Sequence, residues 1–242
     1  RREFMRLRRP DILALMLHNI LGLLSSLSLP QLVIVSVLPV LFAITVHEVA
    51  HGWIAKFLGD PTAARLGRVT LNPFKHIDPL GTVIVPVTLL LLKAPFLFGW
   101  AKPVPVTWEN LRHPKRDMVL VAAAGPGANL VMALLWGLVA KVGSLLLAWG
   151  SWLAEPMVYM GLIGILINIL LLVFNLLPLP PLDGGRVAVG LLPGPWAWRL
   201  SRVEPYGFLI LLALLLTGVL WTLIGPPIEF LIRLVAMLVG LA

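Results

Sequence analysis

The stretch LVIVSVLPVLFAITVHEVAHGWIAKF, residues 32–57, decides how this chain must fold. Its first fifteen residues carry no charge, and such a run reads as a helix facing lipid. Its second half sets His47, Glu48 and His51 in the pattern HExxH. Positions i and i+4 are neighbours on one face of an α-helix, so the two imidazoles can present themselves to a single ion. With this chain's own His and Glu frequencies, an accidental HExxH is expected only about 0.003 times. The stretch therefore joins two demands, an apolar span and a polar metal-binding face.

The remaining composition says which demand governs the fold. Of 242 residues, 59% are hydrophobic and 12% charged, and mean hydropathy is +0.96. A soluble domain is about a quarter charged, so a water-soluble fold is excluded in favour of a polytopic helical membrane protein. The net charge of +8 has a matching explanation in basic cytoplasmic loops, so no nucleic-acid partner is expected. Without cysteine there is no disulfide framework and no thiolate site, which leaves His and carboxylate to hold any metal.

Apolar segments run at about 11–29, 32–58, 80–99, 117–149, 156–182, 205–224 and 227–241, with connectors rich in Pro, Gly and Arg. Lys and Arg gather at the N-terminus and in residues 56–75, 102–116 and 186–202. If all four groups are cytoplasmic, 32–58 runs inward, 117–149 outward and 156–182 inward. Segment 80–99 has basic flanks on both sides and breaks at Pro86 and Pro95, so it should enter and leave on one side as a re-entrant hairpin. The expected fold is an all-α polytopic membrane protein with about six transmembrane helices, the re-entrant segment and a short edge strand. The expected organisation is a single domain, 1–242, with a catalytic core at about 32–192. An N-terminal anchor helix (1–31) and a C-terminal helix pair (205–242) flank it, the pair turning at Pro226-Pro227. Both termini and the metal face are expected on the cytoplasmic side of a cell membrane, a prokaryotic plasma membrane, with the bilayer as surroundings. No oligomeric state is read.

Zinc suits the His pair, and it needs a third protein ligand while keeping a position for water. Glu48 lies beside the pair, where a carboxylate can take a proton as general base. Glu155 and Glu229 fall toward the outer side, whereas His76, Asp78, His113 and Asp117 fall in connectors where caps are the plain explanation. Asp183 remains, in FNLLPLPPLDGGR (174–186). Pro178, Pro180 and Pro181 forbid regular helix before it, and Gly184 and Gly185 permit close approach. Taken alone, LDGG is also a plain helix-capping turn.

HEVAH followed by NLLPLPPLDGG resembles the site-2 protease family of intramembrane zinc metalloproteases, in particular its short bacterial and archaeal members without an inserted PDZ domain. GRVTLNPFKHIDPLGT (67–82), FGWAKPVPV (98–106) and VAAAGPGANL (121–130) are similar to the same branch. The resemblance covers about residues 32–192. It implies one Zn2+ per chain held by His47, His51 and Asp183, with Glu48 as catalytic base. It also implies substrate or oxyanion contacts from Asn175 and Asn129. The activity implied is hydrolysis of a peptide bond within or near a transmembrane helix of a single-pass or membrane-anchored protein, as in regulated intramembrane proteolysis.

That activity accounts for polar chemistry inside a span. At ~1.5 Å per residue, His47 lies roughly 22 Å along its helix, within about 8 Å of the cytoplasmic edge of a ~30 Å core. Water has only that distance to cross. Val104 and Val106 alternate with Pro103 and Pro105, a pattern that suits an edge strand to which an unwound substrate could add. An extended linker explains the same pattern. Among rivals, a transporter shares the broken helices and intramembrane His and Asp, but the Glu of HExxH is superfluous to ion coordination and no internal repeat is evident.

Overall fold

The computed structural model describes Gly22, residues 27–92 and residues 99–241. Most of the first predicted span (11–29) and of the N-terminal anchor, together with Lys93 and Pro95, lies outside the described residues. Helices occupy most of the rest. They are α1 (Leu29–Phe57), α2 (Thr62–Arg65), α3 (Val85–Leu91), α4 (Pro114–Leu147), α5 (Ala154–Asn175), α6 (Asp183–Leu191), α7 (Gly194–Ser201), α8 (Glu204–Leu216) and α9 (Val219–Leu238). A π-helical turn, Pro79–Ile84, leads into α3.

Four of these, α1, α4, α5 and α9, are long and apolar enough to cross a membrane. The protein is therefore a helical membrane protein. The expectation of about six spans is only partly met among the described residues. The predicted segment 205–224 stops at Leu216, and a helix of 13 residues reaches only about 20 Å against a ~30 Å core. The turn after it was expected at Pro226-Pro227 and lies instead at Thr217–Gly218. Gly218 takes φ +77°, the left-handed conformation that ends helices, and its N–H bonds Leu215 O at 3.2 Å. Both prolines sit inside α9, as membrane helices tolerate.

The described residues fall into two compact units. One comprises the stretches up to Val40, Val131–Leu170 and from Trp221 onward. Within it α4 and α5 pack through small residues. A Cβ on Gly161 would come within 2.5 Å of Ala140, and one on Gly164 within 2.1 Å of the Trp136 ring. Backbones can approach this closely only where side chains are absent, which is the usual basis of helix association in lipid.

The other unit, Leu41–Leu130 and Leu171–Leu220, contains the HExxH motif and Asp183. Past the end of α1 its chain folds into a polar loop region fixed by buried side chains. Asp60, fully buried, accepts hydrogen bonds from Thr62 N, Thr107 N and Asn110 Nδ2, so one carboxylate ties residues 60–62 to 107–110. Burial alone would raise its pKa, but the donors from Asn110, Thr62 and Thr107 hold the carboxyl below its ordinary value. An apolar cluster of Ala55, Leu111 and Val121, with Ile54, Leu58, Val106 and Trp108 against it, seals the same junction.

The two ends of segment 80–99 lie side by side. Trp100 N donates to Gly81 O at 3.1 Å, and Thr82 Oγ1 donates to Trp100 O at 2.8 Å. Adjacent ends are what a hairpin requires. The expected edge strand is corrected, because among the described residues no strand forms. Pro103 and Pro105 have no N–H, Lys102 N donates to His76 O, and Val104 N donates to Glu48, so residues 102–105 offer no N–H to a neighbouring strand.

Candidate metal centre

The centre is built from the C-terminal half of α1, the middle of α4 and the start of α6. On α1, His47 and His51 are buried at 8% and 9% exposure, with ring centroids 4.7 Å apart and the rings edge to face. Asp183, 7% exposed, reaches them from the first turn of α6. Its Oδ2 lies 3.2 Å from His47 Nε2 and 3.3 Å from His51 Nε2, and the two Nε2 atoms are 3.0 Å apart.

How Asp183 arrives follows from the local sequence. Helix α5 ends at Asn175, and the prolines at 178, 180 and 181 hold the chain irregular until α6 begins. Gly184 and Gly185 allow that turn to close on itself. A Cβ on Gly184 would stand 2.3 Å from Leu176 O, and one on Gly185 would stand 2.2 Å from Pro180 N. Close approach, rather than a left-handed backbone, is what these glycines provide. Asp183 opens a new helix instead of ending the apolar one. The plain capping explanation for LDGG finds no support either: α6 has no side-chain cap hydrogen bond, and Asp183 Oδ2 is buried with no hydrogen-bond partner among the described residues.

An orphaned carboxylate oxygen facing two imidazole nitrogens is costly unless something positive sits between them. Zinc at about 2.0–2.1 Å from N and O ligands in a tetrahedron places those ligands roughly 3.4 Å apart. The three spacings here, 3.0 to 3.3 Å, come close to that, and His, His and Asp form a donor set that zinc accepts. These three residues also form the one group of metal-ligating side chains found among the described residues. The arrangement fits the metal.

Glu48 is half-buried one residue along from His47, and its Oε2 accepts a 2.7 Å hydrogen bond from Val104 N. The acidic and His candidates read in the connectors are accounted for elsewhere. Asp78 caps the π-helical turn through Leu80 N and Gly81 N, Asp117 accepts from His113 N, and His76 Nε2 lies on Thr70 O. Asn175 donates its amide to Leu171 O on its own helix. Asn129 is fully buried, with Oδ1 2.6 Å from His47 Nδ1 and Nδ2 donating to Ala43 O at 3.2 Å. His51 Nδ1 lies 2.7 Å from Val121 O.

One residue not among the candidates read from the sequence belongs to the centre. A Cβ on Gly125 would stand 2.4 Å from His51 Nε2 and 2.6 Å from His47 Nε2, so only glycine leaves room for the imidazole pair. The AGPG run was the available signal. By contrast, Gly127 has open space beside it.

Comparison with known proteins gives a consistent picture. The chain is 37% identical over 207 residues to the "Putative zinc metalloprotease YwhC" of Bacillus subtilis, covering 82% of this chain and 89% of that one. It is 31% identical over 182 residues to the "Putative zinc metalloprotease Rip2" of Mycolicibacterium smegmatis, covering 74% and 66% respectively. The match to the Rip2 of Mycobacterium tuberculosis strain H37Rv, 31% over 148 residues, spans about half that protein's length, 52%. No protein-family model and no solved structure matches the chain.

Proposed function

The chain belongs to the site-2 protease family of zinc metalloproteases, and from that premise we propose that it hydrolyses a peptide bond within or near a transmembrane helix of a membrane-protein substrate. The observation that carries this reading is the buried His47–His51–Asp183 cluster on and beside a helix that is itself long and apolar enough to span. A soluble substrate has no need of a centre placed there.

His47, His51 and Asp183 would hold one zinc ion, which when bound supplies Lewis acidity toward water and a peptide carbonyl. The protein's own groups do the rest. Glu48 takes the proton from the attacking water and later returns it to the leaving amine. Val104 N–H holds one carboxylate oxygen of Glu48, so the base is aimed before substrate arrives. Burial of the three ligands excludes bulk water, which strengthens each of these contacts. Asn175 is proposed to meet the substrate or its oxyanion, and the unwound substrate to run beside Val104 and Val106. Replacing 103–106 by Gly and Ser while cleavage persists would remove that last element.

The basic groups at 56–75, 102–116 and 186–202 support, through the positive-inside bias, the proposal that the centre lies toward the cytoplasmic side with both termini cytoplasmic. Segment 80–99, whose ends meet, is proposed to re-enter from that side. The membrane is proposed to be the prokaryotic plasma membrane. The test is product analysis in liposomes, with a generic transmembrane-helix protein, a soluble peptide of the same sequence and a phospholipid offered in parallel. Cleavage of the helix, lost in Glu48→Gln, is expected. Turnover of the lipid alone would replace the protease reading.

A further inference from the structure

Helix α4 contributes no metal ligand, yet three of its positions meet the imidazole pair. Val121 O, the bare backbone of Gly125 and the side chain of Asn129 recur every four residues, and so form one stripe along one face. Within this unit α1 and α4 run antiparallel, so the stripe pairs Val121 with His51 and Asn129 with His47.

Donor and acceptor chemistry fixes the protons. Ala43 O can only accept, so the NH2 end of Asn129 belongs there, and this leaves Oδ1 facing His47 Nδ1. An amide oxygen only accepts, so His47 Nδ1 must carry the hydrogen. Val121 O imposes the same on His51. A neutral imidazole protonated at Nδ1 has its lone pair on Nε2. Both lone pairs therefore point at the spot that Asp183 Oδ2 also faces. Hydrogen bonds on the distal nitrogen that set ring tautomer and orientation are worth about 10–100-fold in metal affinity.

We propose that Asn129 is a positioning residue of the metal centre: it locks His47 in the Nδ1–H tautomer, so that α4 templates a zinc site to which it gives no ligand. An amide does this without adding a second buried charge beside Asp183, which would be expensive inside a span. The proposal rests on the metal reading above and assigns Asn129 to His47 rather than to substrate.

Zinc affinity of the full chain in detergent, measured by chelator competition, tests it. Asn129→Leu keeps the approximate shape and removes the acceptor, and its dissociation constant should rise about 10–100-fold. Asn129→Asp keeps an acceptor on Nδ1 and should hold zinc at least nearly as tightly as wild type. Equal affinity in Asn129→Leu and wild type, or equal loss in both variants, overturns the proposal. Should Asn129→Leu not fold, histidine 15N spectra of the zinc-loaded wild type decide. His47 bound through Nε2, with an Nδ1–H signal that shifts in Asn129→Asp while that of His51 stays, is the expected result. His47 bound through Nδ1 overturns it. A wild type that binds no zinc at all would instead remove the metal reading itself.

Discussion

At the scale of single residues, the centre depends on groups with very different sequence signals. HExxH announces itself because both imidazoles and the base lie within five consecutive residues, and Asp183 because a Pro-rich break precedes a Gly pair. Val121 acts through its carbonyl, which every residue has, so no pattern could reveal it. Gly125 acts through what it lacks. Adding a Cβ at 2.4 Å from His51 Nε2 forces the rings or helices apart, and overpacking of this kind costs about 1–3 kcal/mol. Gly125→Ala should therefore weaken zinc binding by about tenfold or more, seen by chelator competition, whereas Gly127→Ala, with open space beside it, should not. The base has its own dependence. Residues 103 and 105 are already prolines, so a third at 104 suits the extended backbone while deleting the N–H that holds Glu48. A hydrogen bond to a charged group is worth about 1.5–3 kcal/mol, so Val104→Pro should lower kcat about 10- to 100-fold with zinc retained. Unchanged kcat would mean that Glu48 needs no such anchor.

Among elements, apolar length was legible and the breaks were only partly so. Helices α1, α4 and α5 follow the apolar runs, because backbone groups in lipid must be satisfied within the segment. The break between α8 and α9 was misplaced because Pro-Pro is the louder signal, although Gly218 in its left-handed conformation makes the turn. Gly218→Ala should lower Tm, since a Cβ in that conformation costs about 1–2 kcal/mol, whereas Pro227→Ala inside α9 should leave Tm level or raise it. The opposite order would return the turn to the prolines. In the loop region, Asp60 was passed over among the acidic candidates because nothing nearby resembles a metal motif. Its carboxyl is held below the ordinary 3.8, so the folded state binds fewer protons than the unfolded chain there. The stabilisation is complete above that value and is lost as pH falls through the lower folded value. Limited proteolysis within 99–112 should accelerate below about pH 4 in wild type. Asp60→Asn should be cut faster already at neutral pH, with a weaker acid dependence.

For the whole molecule, composition alone was enough to require a membrane, since 12% charge cannot cover a soluble surface of this size. The number of spans was harder, because hydropathy does not say where a helix stops, and α8 is apolar throughout yet too short to cross. Orientation rests on where lysines and arginines gather, so reporter fusions within 65–75 should report the cytoplasm. A signal from outside the cell there would invert the topology and leave the chemistry untouched. The central claim is that three buried ligands hold zinc and Glu48 uses it on a substrate helix. It is tested most directly by measuring bound zinc and cleavage of a transmembrane-helix substrate together, in wild type, Glu48→Gln and Asp183→Ala. The account predicts one zinc and cleavage in wild type, one zinc without cleavage in Glu48→Gln, and loss of both in Asp183→Ala. Folded wild type without metal, or full cleavage by Glu48→Gln, would contradict it.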